Sequence, residues 1–129
     1  MTHELFTLVA LSLLALLLPV IYLFGYTQDV GVKAMLGNRE GLPERTGLAA
    51  RGTRAHANLI ENLVPFAAVV LTAQVLGVSN AVTQTAAIVF LIARLVHLAS
   101  YLAGITFIRT IAYYAGVFFI FAIASQLFV

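Results

Sequence analysis

The stretch LFTLVALSLLALLLPVIYLFGY, residues 5–26, decides the fold, because it contains 22 consecutive residues without a charge. A transmembrane α-helix needs about 20 predominantly apolar residues to cross the hydrocarbon core of a bilayer. The stretch is too long for the hydrophobic region of a signal peptide, and the residues from Met1 to Glu4 before it carry no positive side chain. It therefore predicts a retained transmembrane helix.

Three further helices are predicted after this one, at about residues 53–76, 81–103 and 106–128, and the first turns of the helix at 53–76 are polar. The turn GVSN at residues 77–80 separates the first two, and a break near Gly104 separates the last two. Four spans of about 20 residues, with their connections, nearly use up the 129 residues of the chain. The sequence therefore predicts an all-α integral membrane protein in which residues 1–129 form a single four-transmembrane-helix bundle.

The composition excludes a soluble protein of this size. Hydrophobic residues make up 62% of the chain and charged residues 9%, and the mean hydropathy is +1.03. Soluble domains contain about a quarter charged residues. The chain has no cysteine, which excludes a disulfide, a thiolate metal site and a cysteine nucleophile of its own.

Residues 28–52 differ from the rest of the chain, because they combine glycine and proline with many charges, and they predict a polar loop. Six of the seven basic residues lie on or beside one side of the predicted bundle: Lys33, Arg39, Arg45, Arg51, Arg54 and Arg109. By the positive-inside rule this side, with loop 28–52, is cytoplasmic, and both termini are outside. We expect the protein in a bacterial inner membrane.

Polar side chains fall inside three of the predicted spans at helical spacing. Arg54, Asn58 and Glu61 are four and three residues apart, so they lie within about 60° of one another around a helix. We call such a row of residues on one helix face a stripe. Two further stripes follow on the third and fourth spans: Arg94, His97 and Tyr101, and Arg109, Tyr113 and Gly116. Ionisable residues inside a membrane normally face the bundle interior and pair. We therefore expect the stripes to meet at one polar site.

The charges of this predicted site do not balance. Three arginines of the stripes stand against a single acid, Glu61. The expected arrangement has Glu61 facing Arg94 or Arg54, and in the purely structural interpretation the Glu61–Arg94 pair only locks the second helix to the third. The remaining cations would then be buried without a counter-charge, which is costly. An anionic ligand would complete the site.

Two other kinds of site are not supported. The three histidines have no metal-ligand spacing among themselves and no HExxH motif occurs, so no metal site is predicted. The basic loop also contains Asp29, Glu40 and Glu44, which argue against nucleic acid as a partner and leave membrane lipids.

The stripes of the second and third spans lie within two recognisable motifs. RAHANLIENLVPF, residues 54–66, resembles the signature of the MAPEG family, the membrane-associated proteins of eicosanoid and glutathione metabolism. ARLVHLASY, residues 93–101, resembles the second signature of that family. The length, the four spans and the polar first connection agree over essentially the whole chain. The sequence is thus similar to a bacterial-type MAPEG member.

The resemblance implies a homotrimer that binds glutathione, as co-substrate, between neighbouring subunits near the cytoplasmic side. The residues implied to bind glutathione are Arg54, Asn58, Glu61, Arg94, His97, Tyr101 and Tyr113. Arg109 matches the family arginine that stabilises the thiolate and is the implied catalytic residue. Glutathione carries two carboxylates and one ammonium, which several arginines and one glutamate complement.

These residues leave three functions open. The first is a membrane glutathione transferase or peroxidase, in which the thiolate attacks a lipophilic electrophile or hydroperoxide that enters from the lipid. The second is a non-catalytic lipid-binding or scaffold protein of the same fold. The third is a small transporter with Glu61 and His97 as a proton relay, which four spans without broken half-helices argue against.

Overall fold

The computed structural model describes residues 1–128, and these residues form helices and no β-strand. The helices are α1 (His3–Val30), α2 (Val32–Leu36), α3 (Gly47–Val75), α4 (Ala81–Ala103) and α5 (Thr106–Ser125). All except the five-residue α2 are long and apolar enough to cross a membrane. The predicted all-α class with four transmembrane helices is confirmed.

The first connection is shorter than the predicted loop 28–52. α1 continues to Val30 and α3 begins at Gly47, so helix occupies both ends of that stretch. Gly52, at which the predicted loop ends, lies inside α3 and serves close packing rather than a turn. A Cβ atom added to Gly52 would lie 2.3 Å from the Cβ atom of Tyr22 in α1. Glycine here lets α1 and α3 approach closely.

The residues between α2 and α3 fold against the end of the bundle. The hydroxyl of Tyr26 in α1 donates to the carbonyl of Pro43, and the Arg45 guanidinium lies 5.6 Å from the centre of the Tyr26 ring. Arg45 also donates to the hydroxyl of Thr53 at 3.0 Å. These contacts tie the polar connection to α1 and α3, beside the cytoplasmic ends that the charge distribution predicts.

The bundle consists of two closely packed helix pairs, α1 with α3 and α4 with α5, and α4 packs against both helices of the first pair. Phe66 of α3 and Phe90 of α4 stack at the centre, with ring centroids 4.1 Å apart and an interplanar angle of 13°. Leu11 of α1 and Ile123 of α5 are also fully buried in this core. Exposed apolar side chains, such as the 73% exposed Leu16, cover the outside and suit a lipid environment.

Both ends of α4 are well defined. Asn80 caps its N-terminus in a reciprocal capping box with Thr83. At the other end Gly104 has a φ of 79°, in the left-handed region that glycine adopts without strain, and the amide of Ile105 donates to the Ser100 carbonyl at 2.8 Å. This turn sends α5 back along α4 and brings the start of α5 beside the end of α4.

Candidate functional site

A polar pocket of about 240 Å³ lies where α3, α4 and α5 meet. Seven residues line it: Asn58, His97, Tyr101, Arg109, Thr110, Tyr113 and Tyr114. Five of these seven residues were predicted from the stripes, so most of the side chains that were expected to meet at one site line the same pocket. Sequence reasoning missed Thr110 and Tyr114, which directly follow predicted residues along α5.

The turn at Gly104 sets the geometry of this pocket. His97 and Tyr101 are one turn apart on α4, and their rings are 5.5 Å apart. Tyr113 projects from α5 toward the same place, with its ring centroid 6.4 Å from that of His97. Three ring systems therefore form one wall, and the polar atoms of the imidazole and the two phenols are available to a ligand.

Arg109 is the cation of the pocket. Its guanidinium carbon lies 4.4 Å from the centre of the Tyr101 ring, which is a close cation–π contact. No hydrogen bond or ion pair within residues 1–128 engages Arg109. Because a stacked guanidinium keeps its in-plane N–H donors free, Arg109 can donate to an anion held in the pocket.

Arg94 lies behind the pocket and is only 2% exposed. One of its terminal nitrogens, Nη2, donates to the carbonyl oxygens of Ala112 and Tyr113 at 2.9 and 3.1 Å. The other, Nη1, is 3.5 Å from Oδ1 of Asn58, and Nε has no partner within the described chain. The predicted pairing of Glu61 with Arg94 is wrong within this chain, because backbone carbonyls of α5 occupy the guanidinium instead.

Arg54 and Glu61 lie outside the pocket, with their side chains exposed on the surface of α3. The predicted alternative pairing of Glu61 with Arg54 is therefore also absent within residues 1–128. Glu61 instead lines a second, largely apolar groove of about 410 Å³ between α3 and α5. Asn62 and Tyr113 also line this groove, together with apolar residues that include Pro65, Val117 and Phe121. Tyr113 is common to the groove and the pocket.

The electrostatic character of the site is cationic. The guanidinium of Arg109 lies in the pocket and that of Arg94 directly behind it, and no carboxylate lines the pocket. Among residues 1–128 no group of three or more histidine, aspartate or glutamate side chains could hold a metal ion. The arrangement therefore suits an organic anion with several hydrogen-bonding groups.

The family model described as MAPEG family matches residues 5–129, which is nearly the whole chain. No curated protein matches the chain.

Proposed function

The chain belongs to the MAPEG family, and from this premise we propose that it is a membrane glutathione transferase or peroxidase. It would activate the glutathione thiol for attack on a lipophilic electrophile or hydroperoxide. The observation that carries the proposal is the cationic pocket, in which Arg109 has no protein counter-charge within the described residues. Glutathione brings two carboxylates and a thiol that becomes an anion, and so supplies the missing negative charge.

Arg109 is the proposed catalytic residue. A guanidinium close to the sulfur stabilises the thiolate over the thiol, and the thiolate is the nucleophile. In a transfer reaction the sulfur forms a bond to an electrophilic carbon, and the leaving group departs with its electron pair. With a hydroperoxide the sulfur attacks one peroxide oxygen, the O–O bond breaks, and the alkoxide takes a proton. A second glutathione then displaces hydroxide from sulfur, giving the disulfide and water.

Apart from the buried Arg94, the predicted binding residues divide into two groups. Asn58, His97, Tyr101 and Tyr113 line the pocket and would hold the tripeptide by hydrogen bonds. Arg54 and Glu61 are exposed on α3. Charged side chains on the surface of a spanning helix are costly, so a neighbouring subunit and glutathione itself would cover them. This is consistent with the homotrimer that is part of the proposal, in which Glu61 would meet the ammonium of glutathione.

The groove between α3 and α5 is the proposed place for the lipophilic substrate. It runs from Glu61 and Tyr113 along apolar side chains, including Val69, Val117 and Ile120, and so offers a path that suits an alkyl chain or an aromatic ring. Because Tyr113 also lines the cationic pocket, a substrate in the groove would present its end to the glutathione sulfur. The second substrate would then reach the site laterally, from the lipid.

The protein is an integral membrane protein, and we propose the bacterial inner membrane as its location. The basic side chains of the connection between α1 and α3 would lie in the cytoplasm and both termini outside, by the positive-inside rule. The pocket would accordingly open toward the cytoplasmic side, where glutathione is available to it. Reaction with a membrane-impermeant thiol reagent of single cysteines introduced at Asn38 and at Ser79 checks this orientation.

The test of the proposed function is a glutathione titration of the reconstituted protein, followed by the ultraviolet absorbance of the thiolate. The wild type should show a saturable thiolate signal, and Arg109→Ala should lose that signal while retaining binding. Arg39→Ala is the matched control, because it removes an arginine that caps α2 through the Met35 carbonyl, far from the pocket residues in sequence. Absence of a thiolate signal in wild-type protein that binds glutathione would refute the activation step.

A second candidate function is favoured by the apolar groove beside a cationic pocket, which also suits an anionic lipid without catalysis. This alternative predicts a lipid that co-purifies with the protein. It further predicts no thiolate signal when glutathione is added. Mass spectrometry of the purified protein, together with the titration above, separates the two functions.

A further inference from the structure

Arg94 contacts two residues of the pocket wall without lining the pocket itself. Its side chain is 2% exposed and is not among the seven lining residues, whereas Asn58 and Tyr113 are. The sequence motif groups Arg94 with the ligand-binding residues, but its depth separates it from them. A guanidinium in this position reaches a ligand in the pocket only through the residues in front of it.

The contacts of Arg94 join three helices. From α4 the guanidinium binds the carbonyls of Ala112 and Tyr113 on α5, at 2.9 and 3.1 Å. On the α3 side it is 3.5 Å from the Asn58 side-chain oxygen, the outer limit of a hydrogen bond. The rings of Phe90 and Tyr113 also lie against the guanidinium, with their centroids 5.4 and 5.8 Å from the guanidinium carbon. The planar guanidinium of Arg94 therefore contacts two of the residues that line the pocket, Asn58 and Tyr113.

Gly116 provides the space for this arrangement. A Cβ atom at position 116 would lie 2.2 Å from Nη2 of Arg94 and 2.7 Å from its guanidinium carbon. Real Cβ atoms do not approach other atoms so closely, so any larger residue would push the guanidinium off the α5 carbonyls. A substitution of Gly116 can therefore displace the guanidinium of Arg94 without removing its charge.

We propose that Arg94 is a positioning residue that sets the glutathione affinity by holding Tyr113 and Asn58 in place, and that it does not contact glutathione. The inference rests on the proposed function, and it revises the direct contact that the family motif implies. A carbonyl oxygen has two lone pairs, so Ala112 and Tyr113 can accept from Arg94 while they remain in the helical ladder. The guanidinium can therefore fix α5 against α4 without unwinding it.

If Arg94 contacts glutathione directly, the loss of affinity on replacing Arg94 depends on the ligand in a different way than if Arg94 acts through the pocket wall. If Arg94 bound a carboxylate of glutathione, replacing it would weaken only ligands that carry that carboxylate. If Arg94 positions the wall, the loss is the same for every ligand that uses Tyr113 and Asn58. Two variants with the charge retained isolate this effect: Arg94→Lys removes the fork, and Gly116→Ala displaces it.

The experiment measures dissociation constants by calorimetry on reconstituted protein for three ligands. These are glutathione, its monoester at the glycine carboxylate, and an analogue in which the α-carboxylate of the γ-glutamyl group is an amide. Both variants should weaken all three ligands roughly tenfold, with factors that agree within about twofold. Gly25→Ala is the matched control, since an added Cβ there meets nothing within 4 Å in this chain, and it should change no dissociation constant.

Three results would overturn the inference. A loss for Arg94→Lys that disappears with one of the analogues would show direct contact with the missing carboxylate. Unchanged dissociation constants of folded Arg94→Lys and Gly116→Ala, with only a lower unfolding midpoint, would show a purely structural role. Absence of glutathione binding by the wild type would overturn the proposed function and this inference together, and so differs from the other two outcomes.

Discussion

The hydroxyl of Thr83 contacts a buried carboxylate at the end of the bundle opposite the pocket. Glu4 of α1 is fully buried, and its Oε1 accepts from the hydroxyls of Thr83 at 2.6 Å and Ser79 at 3.1 Å. The shorter distance falls in the range of about 2.5–2.7 Å that is typical of O–H···O⁻ bonds. Thr83 also accepts from the backbone amide of Asn80 in the capping box. Thr83→Val removes both contacts while keeping nearly the same shape.

The expected cost of Thr83→Val follows from these two contacts. A neutral hydrogen bond between membrane helices contributes about 0.6 kcal/mol on average, but hydrogen bonds to charged groups contribute about 1.5–3 kcal/mol. After the substitution Glu4 keeps only the longer bond from Ser79, and its other carboxylate oxygen has no partner among the described residues. We expect the unfolding free energy to fall by about 2–3 kcal/mol.

The measurement is an unfolding titration with sodium dodecyl sulfate in mixed micelles, followed by circular dichroism. Thr85→Val is the control, because Thr85 lies on the same helix with its side chain exposed. It should change the unfolding free energy by less than about 0.5 kcal/mol, as surface substitutions do. If Thr83→Val and Thr85→Val unfold at the same detergent fraction, the contact with Glu4 does not stabilise the fold as described.

Two further predictions concern packing and the groove. Gly52→Ala should destabilise the α1–α3 pair by about 1–3 kcal/mol through overpacking, because its Cβ atom would lie 2.3 Å from the Cβ atom of Tyr22. Gly25→Ala is the control, since its Cβ atom meets nothing within 4 Å, and detergent unfolding compares the unfolding free energies of the two variants. Equal unfolding free energies would contradict this account of the helix contact. Val117→Phe, which narrows the groove, should raise the KM for a lipophilic substrate severalfold in steady-state kinetics and leave the glutathione affinity unchanged. Ile111→Phe, outside the groove, is the control and should alter neither the KM nor the glutathione affinity. An unchanged KM for Val117→Phe would remove the groove as the substrate path.

The four helices could be predicted because their signal is carried by composition. Residues 5–26 contain no charge, and no soluble fold of this length could bury them. The start of α3 could not be predicted in the same way. Gly47 and Gly52 are typical of loops, and only the position of Tyr22 shows that Gly52 belongs to a helix contact. A close approach between helices depends on tertiary structure, which local propensity does not contain.

The stripes predicted which residues share a helix face, but not how deep each side chain lies. His97 and Arg94 are on one face of α4, yet the long side chain of Arg94 reaches α5 while His97 lines the pocket. Glu4 shows the same limit, since a polar residue at the start of the first span gives no sign of being fully buried against Thr83. The length and flexibility of a side chain decide its partners, and these emerge only when the helices are packed.

Calorimetry on the reconstituted wild-type protein measures whether the cationic pocket at Arg109 binds glutathione. We expect saturable binding of one glutathione per site with a dissociation constant below about 1 mM. The binding should weaken as salt is added, because charged groups dominate it. No detectable heat of binding at glutathione concentrations about tenfold above that limit, in protein that remains helical, would contradict it.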